Sequence, residues 1–265
     1  MAECITSREN SKIKYACKLA QSAAFRLEEQ AFFAEGLKLC EELAKTCPLK
    51  VIYYTQKALD KAPQLAQLAC DQYLVQDHVA EKLAGMPSHQ GVFAVFGYPK
   101  VEFSQLPAGG RFLALDRVQD PGNVGALIRS AAAFGYDGVV LGPGCADPYS
   151  PKVLRASMGA VGQIPVVSCP NLPDALRQLH SMGCECLAAA LYNSQPLDAV
   201  WIPPEKGLCL AIGSEGQGLS QAVIDVCQRA VRIPITPRVE SLNASVAGSV
   251  LLWHFRGEMK GCNSL

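Results

Sequence analysis

Three segments of the chain gather side chains that can orient a polar ligand. The first, Asp116-Arg-Val-Gln-Asp-Pro-Gly-Asn-Val-Gly-Ala-Leu-Ile-Arg129, follows an apolar run and opens a helical pattern. It supplies an amide at Asn123 and, at Arg129, a guanidinium able to grip a phosphate through two parallel hydrogen bonds. Asn123 also suits a helix N-cap, and Arg129, six residues on, does not lie directly over it; a capped helix with a solvated arginine is the plainer reading. The second, Ile212-Gly-Ser-Glu-Gly-Gln-Gly-Leu-Ser220, has three glycines that let backbone approach a ligand closely or turn through positive φ. It is not a dinucleotide fingerprint, because Gln221 stands where GxGxxG requires its third glycine. Glu215 either faces a ligand or begins the next helix. The third, Ile233-Pro-Ile-Thr-Pro-Arg-Val-Glu-Ser-Leu-Asn-Ala-Ser-Val-Ala247, offers Ser241 and Asn243, both natural N-caps, and Arg238, which meets a phosphate or stays solvated.

The elements that would carry these segments alternate. From Arg111 onward, apolar strands are expected at Phe112–Leu115, Val139–Leu141, Ile164–Val167, Cys186–Leu191, Leu208–Ile212 and Val231–Ile233, with helices at 123–134, 151–159, 173–182, 219–228 and 243–256. Such alternation implies a parallel sheet covered by helices on both faces, and ligands of such sheets bind beyond the carboxyl ends of the strands. All three segments fall there. Residues 1–97 read as a mixed α/β part, with helices near 11–22 and 35–46 and strands at Val51–Tyr54 and Val92–Phe96. Two prolines and a double glycine between 98 and 110 mark the linker, giving an N-terminal domain over 1–100 and a C-terminal one over 108–265.

Composition narrows the function classes. The 265 residues are 49% hydrophobic and 18% charged, as in a folded globular protein. The 24 basic and 24 acidic residues cancel, so any nucleic-acid site is local. The strongest local excess is residues 8–18, where Arg8, Lys12, Lys14 and Lys18 oppose Glu9 and Tyr15 can stack on a base; a solvated amphipathic helix is the alternative. No apolar run approaches the ~18–20 residues of a membrane span, and the first residues lack a signal-peptide core, so a cytoplasmic protein is expected. The 12 cysteines are scattered, many within apolar runs, and read as reduced core thiols; the histidines at 78, 89, 180 and 254 have no neighbouring second ligand, so no metal is expected.

Taken together, the three segments resemble the motifs of the SpoU (TrmH) family of RNA ribose 2′-O-methyltransferases in the SPOUT superfamily. The first motif stands as Asn123-Val-Gly125 with Arg129, the second as Gly213-Ser-Glu215-Gly-Gln-Gly218, and the third as Ile233-Pro with Ser241-Leu-Asn243-Ala-Ser245-Val-Ala247. Arg155-Ala-Ser-Met-Gly-Ala160, Phe33-Ala-Glu-Gly36 and His89-Gln-Gly91 are similar to further family segments, the last two to a ribosomal-protein-like substrate-binding domain. The resemblance implies an α/β trefoil knot in the C-terminal part and a smaller N-terminal α/β RNA-binding domain. It also implies a homodimer and S-adenosylmethionine held by Gly213, Ile233 and Leu242, lined by Ala190 and Leu191. One departure stands out. Where the family has a small or glycine-containing turn after Ile233-Pro-Ile, this chain has Thr236-Pro237-Arg238, and Pro237 fixes φ and removes a donor.

The implied reaction aligns a ribose 2′-hydroxyl with the methyl carbon of a sulfonium. The family assigns activation of the hydroxyl to the arginine matching Arg129. A guanidinium stays protonated at ordinary pH, so gripping a phosphate and orienting the ribose is the physically milder role. By the same resemblance Asn123 holds the RNA or the arginine, Glu215 assembles the site across the dimer, and Ser241 and Asn243 donate hydrogen bonds beside the reacting centre. Arg8, Lys12, Lys14 and Arg238 are the candidate RNA contacts. Ribosomal RNA is the expected substrate; transfer RNA, a non-catalytic RNA-binding protein of the same fold and a nucleotide-binding oxidoreductase are the alternatives.

Overall fold

A computed structural model describes residues 3–257. The chain divides into two compact units, one comprising Met1–Lys100 with Tyr149–Gln163 and the other Val101–Pro148 with Ile164–Leu265.

The first unit is built on strands β1 (Glu3–Ile5), β2 (Ala31–Glu35), β3 (Leu49–Tyr54), β4 (Asp71–Val75) and β5 (Val92–Gly97), in the order β1-β4-β3-β5-β2. β1, β4 and β3 run parallel, whereas β5 lies antiparallel to both β3 and β2. Helix α1 (Ser11–Gln21) starts where Asn10 accepts the Lys12 amide at 2.9 Å. Its Ile13, Ala16 and Leu19 then fall on one face and bury against Phe33, Tyr53 and Val95. α2 (Ala23–Glu29), α3 (Leu37–Ala44), α4 (Gln56–Lys61) and α5 (Asp77–Ala84) complete the layer. Sequence periodicity anticipates α1, α3, β3 and β5; the other elements are short, five of them with seven or fewer residues, and leave little periodic signal. The unit also holds a distant piece of chain: the Tyr149 ring stacks on Phe32 at 5.0 Å and lies 4.2 Å from Tyr98, ahead of α7 (Pro151–Ser157).

The second unit contains β6 (Arg111–Asp116), β7 (Gly138–Leu141), β8 (Val166–Ser168), β9 (Cys184–Ala189), β10 (Gln195–Pro196), β11 (Gly207–Gly213) and β12 (Arg229–Arg232). Their order is β10-β12-β9-β11-β6-β7-β8, and every neighbouring pair is parallel. β6 and β11 are buried along their whole length, as the near-continuous apolar runs of a doubly covered parallel sheet demand. Around the sheet lie α6 (Pro121–Ala133), α8 (Leu172–Ser181), α9 (Gln221–Val226) and α10 (Ala244–His254). Because all seven strands point the same way, the loops after β6, β9, β11 and β12 share one carboxyl edge.

Two expectations need correction. α6 is capped by Asp120, whose Oδ1 accepts the Asn123 amide at 2.8 Å, with Pro121 in the first turn; Asn123 is therefore inside the helix. β9 runs two residues earlier than the apolar run implied, so Ala190 and Leu191 lie in the loop beyond it. Among the described residues no disulfide forms, and Cys184, Cys186 and Cys209 are buried thiols. No described helix is long and apolar enough to cross a membrane.

Candidate active site

α10 must be held accurately, because the third motif sits at its start. Its far end is fixed by Arg111, a buried guanidinium that donates to the carbonyls of Phe255, Pro203 (2.7 Å) and Pro204 (3.0 Å). A cation at the carbonyl end of a helix is favoured by the helix dipole, and these acceptors replace the lost hydration. Midway, Ser130 and Ser249 hydroxyls meet at 2.8 Å, tying α10 to α6. At Gly248 an added Cβ would lie 2.3 Å from Leu127 Cδ2 and 3.1 Å from Ile212 Cδ1, so any larger residue would have to displace these buried side chains between α10, α6 and β11.

With α10 so placed, three of the expected residues converge, from the first turn of α6, the loop after β11 and the N-cap of α10. Asn123 Nδ2 donates to Glu215 Oε1 at 2.6 Å, Asn243 Nδ2 donates to the same oxygen, and Asn243 Nδ2 also reaches Asn123 Oδ1 at 3.1 Å. Asn243 remains the N-cap of α10, its Oδ1 accepting the amides of Ser245 (2.9 Å) and Val246 (3.2 Å). Capping and network formation thus use opposite ends of one side chain. Asn123 is free to join because Asp120, not Asn123, does the capping at α6.

The second motif is shaped by its glycines. At Gly213 an added Cβ would lie 2.1 Å from the Gly218 carbonyl carbon and 2.3 Å from the Leu219 amide nitrogen, while the Gly218 amide donates to Ser214 C=O at 2.8 Å. The backbone therefore folds back on itself directly after β11 and presents Glu215 at the tip. Two further contacts, from residues not anticipated from the sequence, pin this loop to the first motif. Buried Asp116 accepts the Ser220 amide at 2.7 Å, and Arg117 Nη1 donates to Gln217 Oε1 at 3.1 Å. Arg117 does so from φ 56°, a left-handed conformation unusual for a residue with a Cβ; no motif pattern marks either residue.

Arg129 and Arg238 are exposed and, among the described residues, are the arginines with no hydrogen bond, ion pair or ring contact. The N-terminal cations differ. Arg8 pairs with Glu81 at 2.8 Å, Lys14 with Glu9 at 2.7 Å, and Lys12 hydrogen-bonds Tyr73 and lies 3.7 Å from Glu3. Ser241 is exposed and takes no capping role.

The expected cofactor positions lie on the same carboxyl edge: Gly213 ends β11, Ile233 follows β12, Ala190 and Leu191 follow β9, and Leu242 precedes α10. Ala190 donates its amide to Val231 C=O at 3.0 Å. From Pro234 to Leu242 one backbone–backbone hydrogen bond forms among the described residues, Val239 N–H to Thr236 C=O at 3.4 Å, a turn that accommodates Pro237. The remaining amides and carbonyls there, flanked by half-buried Ile233 and Leu242 and exposed Leu191, are the mixture of apolar surface and unpaired backbone that an adenosyl group requires. The residues present fit that group.

This fold and these loops define a parallel α/β domain with a polar site at the carboxyl edge of its sheet, joined to a second, smaller α/β unit. Residues 110–253 match the SpoU rRNA Methylase family and residues 10–94 the MRM3-like substrate binding domain. The chain is 33% identical over 253 residues to the 23S rRNA (guanosine(2553)-2′-O)-methyltransferase RlmP of Bacillus subtilis, spanning 96% of this chain and 99% of the relative. It is 35% identical over 258 residues to an uncharacterized tRNA/rRNA methyltransferase of Synechocystis sp., spanning 95% of this chain and 93% of the relative. An AdoMet-bound rRNA methyltransferase from Sinorhizobium meliloti superposes with a TM-score of 0.84 at 29% identity, over 96% of this chain and 97% of the other. The chain belongs to the SpoU rRNA methylase family, and its SPOUT-type fold, its methyltransferase activity on RNA and its use of S-adenosylmethionine are those of that family.

Proposed function

We propose that this chain methylates a ribose 2′-hydroxyl of ribosomal RNA. The observation that carries the reading is the network of Asn123, Glu215 and Asn243, which joins the three motif segments at the carboxyl edge of the sheet. The named activity of the Bacillus subtilis relative, similar over nearly the whole length of both chains, supports the choice of ribosomal RNA and of the 2′-oxygen. When bound, S-adenosylmethionine supplies an electrophilic methyl group on a sulfonium. Gly213, Ile233 and Leu242 hold it chiefly through backbone groups, with Ala190 and Leu191 beside them.

Within this reading Arg129 keeps its guanidinium unpaired for the RNA phosphate next to the target ribose, gripping two oxygens and fixing the sugar's orientation. It remains a cation throughout, and the hydroxyl proton leaves to a phosphate oxygen or water. Asn123, Glu215 and Asn243 position the loops, and Ser241 supplies a hydroxyl at the rim. Residues 1–100 serve as the RNA-binding domain and 108–265 as the methyltransferase domain, in a cytoplasmic protein without a metal. A homodimer is supported by Val246, Val250 and Trp253, which expose 51%, 39% and 49% of their surface at helical spacing along one stripe of α10.

Methyl transfer from labelled S-adenosylmethionine to unmodified large-subunit ribosomal RNA and, separately, transfer RNA tests the proposal. Label recovered as a 2′-O-methylnucleoside from ribosomal RNA, lost in Arg129→Ala and largely lost in Arg129→Lys while cofactor binding persists, is the expected result. Label on transfer RNA alone, or on a base, overturns it.

A further inference from the structure

Beyond Ala190 and Leu191, the turn between β9 and β10 has no part in the site described so far. Tyr192 stands in it with 84% of its surface exposed, more than any other large hydrophobic side chain among the described residues. On a loose loop such a ring would need no explanation. This turn is held. Asn193 adopts a left-handed conformation at φ 50°, the Ser194 hydroxyl donates to Leu191 C=O at 3.3 Å, and Arg232 donates to the Ser194 carbonyl. Arg232 is the last residue of β12, immediately before Ile233, so the turn is fastened to the strand that leads into the third motif. Holding a short loop costs conformational entropy, and here the held residues present an aromatic ring to solvent on the carboxyl edge of the sheet.

We propose that Tyr192 is a stacking platform for an unpaired nucleobase of the substrate RNA. The inference rests on the reading of the chain as an RNA methyltransferase. RNA is read chiefly through bases that have left a helix and lie on aromatic side chains, which accept any π-face. A ribose presented for methylation belongs to such a displaced nucleotide or its neighbour. Arg238, exposed and unpaired on the loop that leaves β12, adds positive charge on the same carboxyl edge of the sheet. Arg232 is occupied with the turn and does not contact the RNA.

The test compares Tyr192→Ala, Tyr192→Phe and Tyr192→Trp with the wild type, measuring KM for RNA, kcat and, separately, the Kd for S-adenosylmethionine by calorimetry. Because the side chain is almost wholly exposed, the alanine variant folds. Removing an aromatic platform weakens binding of its base roughly 5- to 150-fold. Tyr192→Ala is expected to raise KM for RNA within that range and to leave the cofactor Kd unchanged, while Phe and Trp stay within about threefold of wild type, as a ring-stacking role requires. An unchanged RNA KM in Tyr192→Ala overturns the proposal. So does a loss in Tyr192→Phe as large as in Ala, which would assign the role to the hydroxyl, or a raised cofactor Kd with RNA KM unchanged. If the wild type methylates no RNA, the activity reading fails by itself. RNA affinity by fluorescence anisotropy then decides the stacking, supported by weaker binding of Tyr192→Ala and overturned by equal binding.

Discussion

Glu215→Ala removes the single oxygen on which Asn123 and Asn243 converge. Each amide-to-carboxylate bond is a hydrogen bond to a charged group, worth about 1.5–3 kcal/mol net. Two such bonds set an upper range of about 3–6 kcal/mol, but Glu215 and Asn243 are exposed and water replaces much of what they lose. Asn123 is only 7% exposed, and its Nδ2 would be left without its acceptor. The bond to Asn123 therefore dominates, and a total of about 2–3 kcal/mol is expected, a loss of roughly 30- to 150-fold in kcat/KM if loop position limits the reaction. The decisive assay is a double-mutant cycle of Glu215→Ala and Asn123→Ala in kcat/KM. It should show a coupling of about 1–2 kcal/mol, with Glu215→Gln intermediate, because a neutral acceptor keeps the geometry but roughly halves the bond strength. Additivity to within about 0.5 kcal/mol would refute the network as a positioning device.

Three further outcomes follow from the same geometry. Gly213→Ala puts a methyl group 2.1 Å from the Gly218 carbonyl carbon, a backbone atom that cannot swing aside; the loop must open, and calorimetry should show S-adenosylmethionine binding weakened by at least about tenfold. An unchanged Kd would mean that the folded-back loop is not part of the cofactor site. At Arg117, φ 56° strains any residue with a Cβ, so Arg117→Gly should melt above Arg117→Ala, the gap reflecting about 1 kcal/mol; the reverse order would show the strain to be negligible. Glu185 on β9 is largely buried, which alone would raise its pKa, but Lys206 and Arg229, each 2.5 Å away, lower it below the ordinary value. A lowered native pKa means that the unfolded chain binds more protons, so this stabilisation is present above the unfolded pKa of about 4.3 and is lost as pH falls through the native value. Thermal melts between pH 3 and 7 should fall less steeply on acidification in Glu185→Gln than in the wild type, and parallel curves would remove Glu185 as a source of acid sensitivity.

The motif loops were legible because their chemistry sits in unusual local sequence: glycines where backbone must fold back, and amides, an acid and arginines just after apolar runs. Relations between distant residues were not legible. The apolar pattern starts β9 at Cys186, because a glutamate in a strand reads as a boundary. The partners that make Glu185 acceptable there are Lys206, 21 residues on, and Arg229, 44 residues on. Likewise Asn123 looked like a cap because Asp120 and Asn123 are both good caps, and only Pro121 in the first turn distinguishes them. That distinction carries function, since an asparagine released from capping can hold Glu215. Tyr149–Gln163 joins the first unit through ring contacts with Phe32 and Tyr98, which no linear division of the chain anticipates.

Charge shows the same difference between composition and pairing. The basic run at residues 8–18 is locally the most cationic part of a neutral chain, yet Glu81, Glu9 and Glu3 lie against Arg8, Lys14 and Lys12. An RNA phosphate arriving there competes with carboxylates already in place, and exposed pairs of this kind are worth only about 0–1 kcal/mol, so they lower affinity without abolishing it. Arg129 and Arg238 face no such competition. A chain with no net charge gains little from long-range attraction, so its affinity for RNA depends on individual cations left without acids, these two guanidinia among them. Both of these lie in motif loops or in the helix that a motif opens. Neutralising either should therefore weaken RNA binding more than neutralising any of the three paired N-terminal cations, and the slope of affinity against salt should fall by close to one for each.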